Sequence, residues 1–221
     1  MRVLILGEAG MVGQGVLREC LLDASITDVL AVTRTPLGAQ HPKLRNVVHS
    51  DLTQLGPIED QLHGLDACFF LIGVTSVGIS EEEYRRLTYD LTLSVARTLA
   101  RLNPNLTFVY VSGEGTDSTR RSSMNWARVK GETENELLRL FSSAYMFRPG
   151  YIQPLHGIKA RVGWYNAVYA VLGPLYPLLK RIAPNRITTT EIVGRAMVRA
   201  VLHGAPKRVL ETADINALGE R

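Results

Sequence analysis

MRVLILGEAGMVGQG, residues 1–15, carries three signals in immediate succession. Residues 3–6 form a short apolar run, and Gly7, Gly10 and Gly13 follow at three-residue intervals. From residue 16 to residue 22 the apolar positions take helical spacing. A strand, a glycine-rich turn and a helix in that order build a site for a diphosphate. Glycine lets the backbone turn sharply and lets a phosphate approach with no Cβ in the way. The helix behind it directs unpaired N–H groups and the positive end of its dipole at the anion.

Beyond this unit, strand and helix signals alternate. Residues 28–33 (DVLAVT) and 46–49 (NVVH) read as the second and third strands. Residues 67–72 (ACFFLI) are a continuous apolar run, as expected of a strand buried on both faces. Residues 80–102 read as one long helix, with Ser80 and Glu83 spaced as a capping box. Residues 106–111 (LTFVYV) make a fifth strand, 124–141 a helix that Ser122 and Ser123 begin or cap, and 144–147 a sixth strand closed by Arg148-Pro149-Gly150. The alternation predicts an α/β fold: one doubly wound parallel sheet with helices on both faces, in a single domain over residues 1–221. Thr188, Thr189 and Thr190 are N-cap candidates for a helix to about residue 202, and residues 208–211 for a last short strand.

Residues 151–187 break the pattern and read as a small helical cover over the substrate pocket. Within them residues 162–179 hold no charge, four aromatics (Trp164, Tyr165, Tyr169, Tyr176) and the interruptions Pro174 and Pro177. Pocket cover or packing against a second copy is the first reading. Peripheral membrane contact, with aromatics and basic flanks at the headgroups, is the second. The composition, 46% apolar and 21% charged, is that of a soluble globular chain. The net charge of +4 hides an asymmetry: residues 156–208 hold nine Lys/Arg and one acid, the remainder sixteen basic and twenty acidic residues. No nucleic-acid motif accompanies the basic part, so a nucleic-acid partner is not expected. Cys20 and Cys68 fall in apolar contexts and read as buried reduced thiols. Neither they nor the five histidines show metal-ligand spacing, so no metal is expected. The N-terminal apolar run is too short for a signal peptide, and a cytoplasmic location is expected.

With these motifs the chain resembles the short-chain dehydrogenase/reductase superfamily in its atypical or extended NAD(P)-binding branch. It is similar to NAD-dependent epimerase/dehydratase-like proteins and to oxidoreductases of the Tat-interacting-protein type. GEAGMVG looks like that branch's GxxGxxG loop, which implies diphosphate contacts at Gly7, Gly10, Met11, Val12 and Gly13. Asp51-Leu52 looks like its adenine-contacting pair, and Gly73 and Val74 would lie over the ribose and diphosphate. An NAD site usually ends its second strand with an acid for the ribose 2′-OH. Here Thr33-Arg34-Thr35 stands there, and Arg34 suits a 2′-phosphate, so NADP is favoured over NAD.

The resemblance breaks at the catalytic signature. The superfamily reads Ser at the end of strand five, then Tyr-x-x-x-Lys on one face of the next helix. Ser112 and Lys130 match as catalytic residues, and Lys130 also as a cofactor contact, whereas the residue four before Lys130 is Trp126. Indole has no proton to exchange near neutral pH. Pro149 lies in the segment that lines the nicotinamide end in relatives, and Tyr151 beside it is the candidate replacement acid. His156, in the same stretch, reads as a loop residue or a substrate contact. Two classes remain open: an NADP-dependent oxidoreductase or epimerase-like enzyme acting on a small carbonyl or alcohol, an apolar one included, and a dinucleotide-binding sensor or interaction protein that lost the acid. A homodimer through the helices at 80–102 and 124–141 is the expected assembly.

Overall fold

The computed structural model describes residues 1–158 and 176–220. Its main sheet has seven strands, all parallel: β1 (Arg2–Leu6), β2 (Asp28–Thr33), β3 (Leu44–Val48), β4 (Ala67–Phe70), β5 (Thr107–Val111), β6 (Ala144–Arg148) and β9 (Val209–Glu211). Their order across the sheet is β3-β2-β1-β4-β5-β6-β9. A second, two-stranded parallel sheet pairs β7 (Tyr151–Gln153) with β8 (Ile187–Thr189). The helices are α1 (Met11–Leu22), α2 (Glu81–Arg85), α3 (Leu91–Leu102), α4 (Asn125–Leu140), α5 (Tyr176–Ile182), α6 (Thr190–His203) and α7 (Thr212–Gly219).

The central strands are apolar throughout because both faces are covered. Along β1, Val3 and Ile5 point into a layer shared with Val16 and Cys20 of α1, Val193 and Met197 of α6 and Ile215 of α7. Leu4 and Leu6 point the other way, toward Leu93, Val95 and Leu99 of α3 and Leu137 of α4. The period of two along a strand thus assigns one residue set to each layer. Both cysteines are free and buried, one in each layer, and burial pushes both thiols up. From β1 the chain steps outward to β2 and β3 on one side, then crosses back to β4 on the other side of β1. The crevice beyond the carboxyl ends of β1 and β4 is therefore the switch point where ligands of such sheets bind.

Four differences from the sequence reading have local causes. The helix expected over residues 80–102 is interrupted by a π turn, Arg86–Asp90, in which the Leu91 N–H reaches back to the Arg86 carbonyl. At that turn the Thr92 hydroxyl also donates to the Thr88 carbonyl, a side-chain competitor for the helical ladder. Ser80 does cap the helix, accepting from the Glu83 N–H at 3.1 Å. Residue 124, and not a serine, is the N-cap of α4, while the Ser122 hydroxyl accepts from the Met124 N–H. The pair β7–β8 and helix α7, with its Glu211–Asp214 capping box, carry too few periodic residues to stand out from sequence. Among the described residues no helix is long and apolar enough to cross a membrane. The apolar stretch at 162–179, read as pocket cover or membrane contact, lies mostly outside the described residues.

Candidate functional site

The turn after β1 is held by backbone against backbone. Gly7 has φ +94°, and a Cβ there would stand 2.7 Å from the Leu71 carbonyl carbon, where the chain leaves β4. A Cβ on Gly13 would stand 2.1 Å from the Gly7 carbonyl oxygen. These two glycines let β1, the end of β4 and α1 approach one another. Gly10 differs: the nearest atom to a Cβ there is the Gly7 oxygen at 3.3 Å, and a Cβ on Gly73 would meet nothing within 4 Å. Gly10 caps α1 without a side-chain hydrogen bond, and its first turn holds no acid. The Met11, Val12 and Gly13 N–H groups precede the first helical bond, Gln14 N–H to the Gly10 carbonyl at 2.9 Å. Donors lie behind a bare Cα at the switch point, which fits a diphosphate.

The neighbouring strand ends complete this half. The register Leu6↔Val32 brings the β1 and β2 exits side by side, so Gly7 and Glu8 leave the sheet beside Thr33 and Arg34. Arg34 is exposed between two pinned residues. The Thr33 hydroxyl donates to the Thr35 carbonyl at 2.7 Å and accepts from Asn46 Nδ2 at 2.8 Å. Asn46 Oδ1 in turn accepts from the Leu37 N–H. Sequence reasoning missed both Asn46, which holds the loop presenting Arg34, and Glu8, an acid 6% exposed within the glycine turn. Asp51 folds onto its own turn. Its Oδ1 accepts from the Thr53 hydroxyl at 2.6 Å and from the Thr53 N–H, and these bonds lower its pKa. Leu52 packs against the core, and Gly73 and Val74 are exposed beyond β4.

At the ends of β5 and β6 the arrangement is tighter. Lys130 Nζ donates to the Ser112 backbone carbonyl, and burial pulls its pKa down to about 8 against the opposing charge of Glu134. The Ser112 hydroxyl points elsewhere, donating to Glu134 Oε1 at 2.5 Å and lying 3.3 Å from the Phe147 carbonyl. The serine thus meets Lys130 through its carbonyl, while its hydroxyl is held inside. Trp126 lies over the turn after β5: a Cβ on Gly115 would be 3.2 Å from the indole ring. Pro149 is buried and its carbonyl accepts from the Glu114 N–H at 3.0 Å. Gly150 has no room for a side chain, since a Cβ would stand 2.6 Å from both the Arg186 carbonyl and Glu114 Oε2. The Tyr151 hydroxyl donates to Gln153 Oε1 at 2.8 Å. His156 contacts Glu191 at 2.5 Å, and that carboxylate also pairs with Arg195.

The model of the NAD dependent epimerase/dehydratase family matches residues 3–118, from β1 to the turn beyond β5. The chain belongs to this family. Within curated relatives, it is 25% identical over 235 residues to the mitochondrial protein FMP52 of Chaetomium globosum, covering 98% of this chain and 96% of that one. It is 29% identical over 140 residues to the leucinostatins biosynthesis cluster protein T of Purpureocillium lilacinum. That match covers 62% of this chain and spans about half, 51%, of the relative. In fold it is similar to DesIV, a dTDP-glucose 4,6-dehydratase of Streptomyces venezuelae solved with NAD and TYD bound. The TM-score is 0.65 at 16% identity, over 99% of this chain and 80% of that one.

The part matched to the epimerase/dehydratase family holds the glycine turn, Arg34, Asp51, Gly73 and Ser112, and stops before Trp126 and Lys130. In this member the run Lys130-Gly131-Glu132-Thr133-Glu134 does more than place a lysine. A Cβ on Gly131 would stand 2.0 Å from the Asp117 carbonyl oxygen, so the loop after β5 lies directly on α4. Glu132 takes both terminal nitrogens of Arg85, at 2.7 and 3.0 Å, tying α4 to α2. Glu134 gathers Ser112, Ser118 and Arg148. An acid spaced one helical turn from Lys130 was the available signal for this last role.

Proposed function

We propose that this chain binds a nicotinamide dinucleotide along the carboxyl ends of β1, β2 and β4, and that it is an oxidoreductase or epimerase-like enzyme acting on a carbonyl or alcohol carbon. The observation that carries the reading is the N-terminus of α1, whose first N–H groups stand behind the bare Cα of Gly10 at the switch point. Membership of the epimerase/dehydratase family and the NAD held by the similar fold of DesIV support the same cofactor class. The diphosphate would lie on Gly10, Met11, Val12 and Gly13, and the adenosine half toward Arg34, Asp51 and Leu52. Arg34 at the β2 exit, with no acid beside it on that strand, favours the 2′-phosphate of NADP over NAD.

When bound, the nicotinamide ring supplies or accepts a hydride. Lys130 would hold the ribose beside it, within reach of Ser112 and of the turn after β5 against which Pro149 and Trp126 lie. Trp126 cannot exchange a proton, so proton transfer falls to Lys130, which changes charge near pH 8, or to the Tyr151 hydroxyl. A second reading, a dinucleotide-binding sensor, is favoured by Trp126 and by the Ser112 hydroxyl being held on Glu134.

Calorimetric titration with NADPH and NADH, beside Arg34→Ala, tests the binding half. Micromolar NADPH binding, weaker NADH binding and loss of that preference in the variant are expected. Binding of neither dinucleotide overturns the reading. A substrate screen of wild type, Trp126→Tyr and Tyr151→Phe separates the two classes. Turnover in wild type that Tyr151→Phe abolishes gives an enzyme with a replaced acid. Turnover only in Trp126→Tyr gives the sensor.

A further inference from the structure

Behind the strand-end site, four elements meet around one wholly buried carboxylate. Glu134 of α4 has no exposed surface. Its Oε1 accepts from the Ser112 hydroxyl at 2.5 Å and from Arg148 Nε at 2.9 Å, and its Oε2 from the Ser118 hydroxyl at 3.0 Å and from Arg148 Nη2. Arg148 Nη2 also donates to Ser118 Oγ at 2.5 Å, and Nη1 reaches Glu211 at 3.2 Å. A carboxylate this far from water persists only when its lone pairs are satisfied and its charge is matched. Here both conditions are met, by a guanidinium and two hydroxyls.

The cluster is joined to Lys130 by one shared residue. Ser112 gives its hydroxyl to Glu134, its N–H to the Phe147 carbonyl at 2.9 Å and its carbonyl to Lys130 Nζ. With the first two fixed, the carbonyl has one direction open to it. Glu134 also lies one helical turn beyond Lys130, on the same face of α4.

We propose that Glu134 is a positioning residue that orients Lys130 through Ser112 and supplies the fixed negative charge that keeps Lys130 an ammonium. This role deepens the reading of Lys130 as the residue at the nicotinamide end and rests on it. The charged and titratable groups around the pair are Arg148 on β6, Glu211 at the β9–α7 junction, and Tyr110 on β5. Burial first, then the charges of Tyr84 and Glu134, push the Tyr110 phenol up. Burial draws Lys130 down to about 8, and the charge of Glu134 works against that fall.

The test is the titration of Lys130 in the full chain without ligand, followed by NMR of ε-carbon-labelled lysine. The chain has five lysines, so Lys130→Met assigns the signal. In Glu134→Gln the carboxylate charge is gone and Arg148 keeps only Glu211 as an acidic partner, so the Lys130 midpoint falls by about one unit. Ser112→Ala leaves the Glu134–Arg148 pair intact and frees only the carbonyl; its midpoint falls by about half a unit. A merely structural strut moves the midpoint the other way, because loosening admits water and returns lysine toward its ordinary value. A fall in both variants supports the proposal. A rise or no change in either overturns it, and Ser112→Ala decides alone if Glu134→Gln does not fold. NADPH titration of the same proteins separates the two readings. If wild type binds no dinucleotide, that assignment fails, while the Lys130 midpoints still judge Glu134.

Discussion

Two glycines of the opening turn have opposite sensitivities. At Gly13 a methyl group would lie 2.1 Å from a backbone oxygen that cannot move without shifting β1, so Gly13→Ala is expected to destabilise by about 2–3 kcal/mol. At Gly10 the backbone is extended, with φ −75° and ψ 161°, and the nearest atom to a Cβ is 3.3 Å away. Gly10→Ala should therefore cost under about 1 kcal/mol while weakening dinucleotide affinity at least about tenfold. Thermal melts and calorimetry of both variants check the contrast. Equal losses of stability would remove the distinction between packing glycine and ligand-facing glycine. Lys130 offers a second prediction, with a sign. Its native pKa, about 8, lies below the unfolded value, so from about pH 8 to pH 10 the unfolded chain holds more protons. Stability from this group therefore rises with pH across that window and is withheld below it. Lys130→Met should melt higher than wild type at pH 7, with the gap closing toward pH 10. A gap that is constant with pH would contradict a buried ammonium.

Between the residues and the whole, the loop joining β5 to α4 is the element that shapes the second half of the site. Asp117 organises it. Its Oδ1 accepts from the Thr119 hydroxyl and N–H, and its Oδ2 from the Arg121 and Ser122 N–H groups. The Thr119 hydroxyl contributes most to holding its pKa near 2. The unfolded aspartate titrates near 3.9, so this stabilisation is present above that value and is lost as pH falls toward about 2. Asp117→Ala should abolish that acid-limb loss and speed amide exchange at residues 118–123, with the sheet strands unchanged. Exchange rates equal to wild type would sink the assignment. In the sequence this loop reads only as a serine-rich connection, because its order comes from one carboxylate gathering local N–H groups and leaves no periodic trace. The long helices were legible because their apolar positions recur with helical spacing. The π turn between α2 and α3 was not, since neither its i→i+5 bond nor the Thr92–Thr88 hydrogen bond beside it leaves a mark in the periodicity.

At the scale of the molecule, the sheet and its switch point follow from alternation: apolar runs in β1, β4 and β5, glycines after the first, helices between. The glycine turn and Arg34 were nameable because each stands at a fixed offset from a strand end, and Lys130 because it matches the lysine of the catalytic signature that the chain resembles. Asn46 and the Glu134 cluster were not, because their contacts join strands and loops far apart in sequence. The close contact of α1 with α6 is of the same kind. A Cβ on Gly194 would lie 2.9 Å from the Gly15 carbonyl oxygen, and one on Gly15 would lie 2.7 Å from that of Thr190. Gly194→Leu should therefore part the two helices and cost about 3 kcal/mol in denaturant unfolding, and a cost below about 1 kcal/mol would contradict the packing. Everything proposed for this chain turns on where a dinucleotide sits. Backbone amide shifts on titration with NADPH test this most directly. The expected perturbations cluster at residues 7–15, 33–35, 51–52 and 71–75, at the carboxyl ends of β1 to β4. Shifts confined to the opposite edge, around Arg199, His203 and Leu218, or no shifts at saturating NADPH, would contradict it.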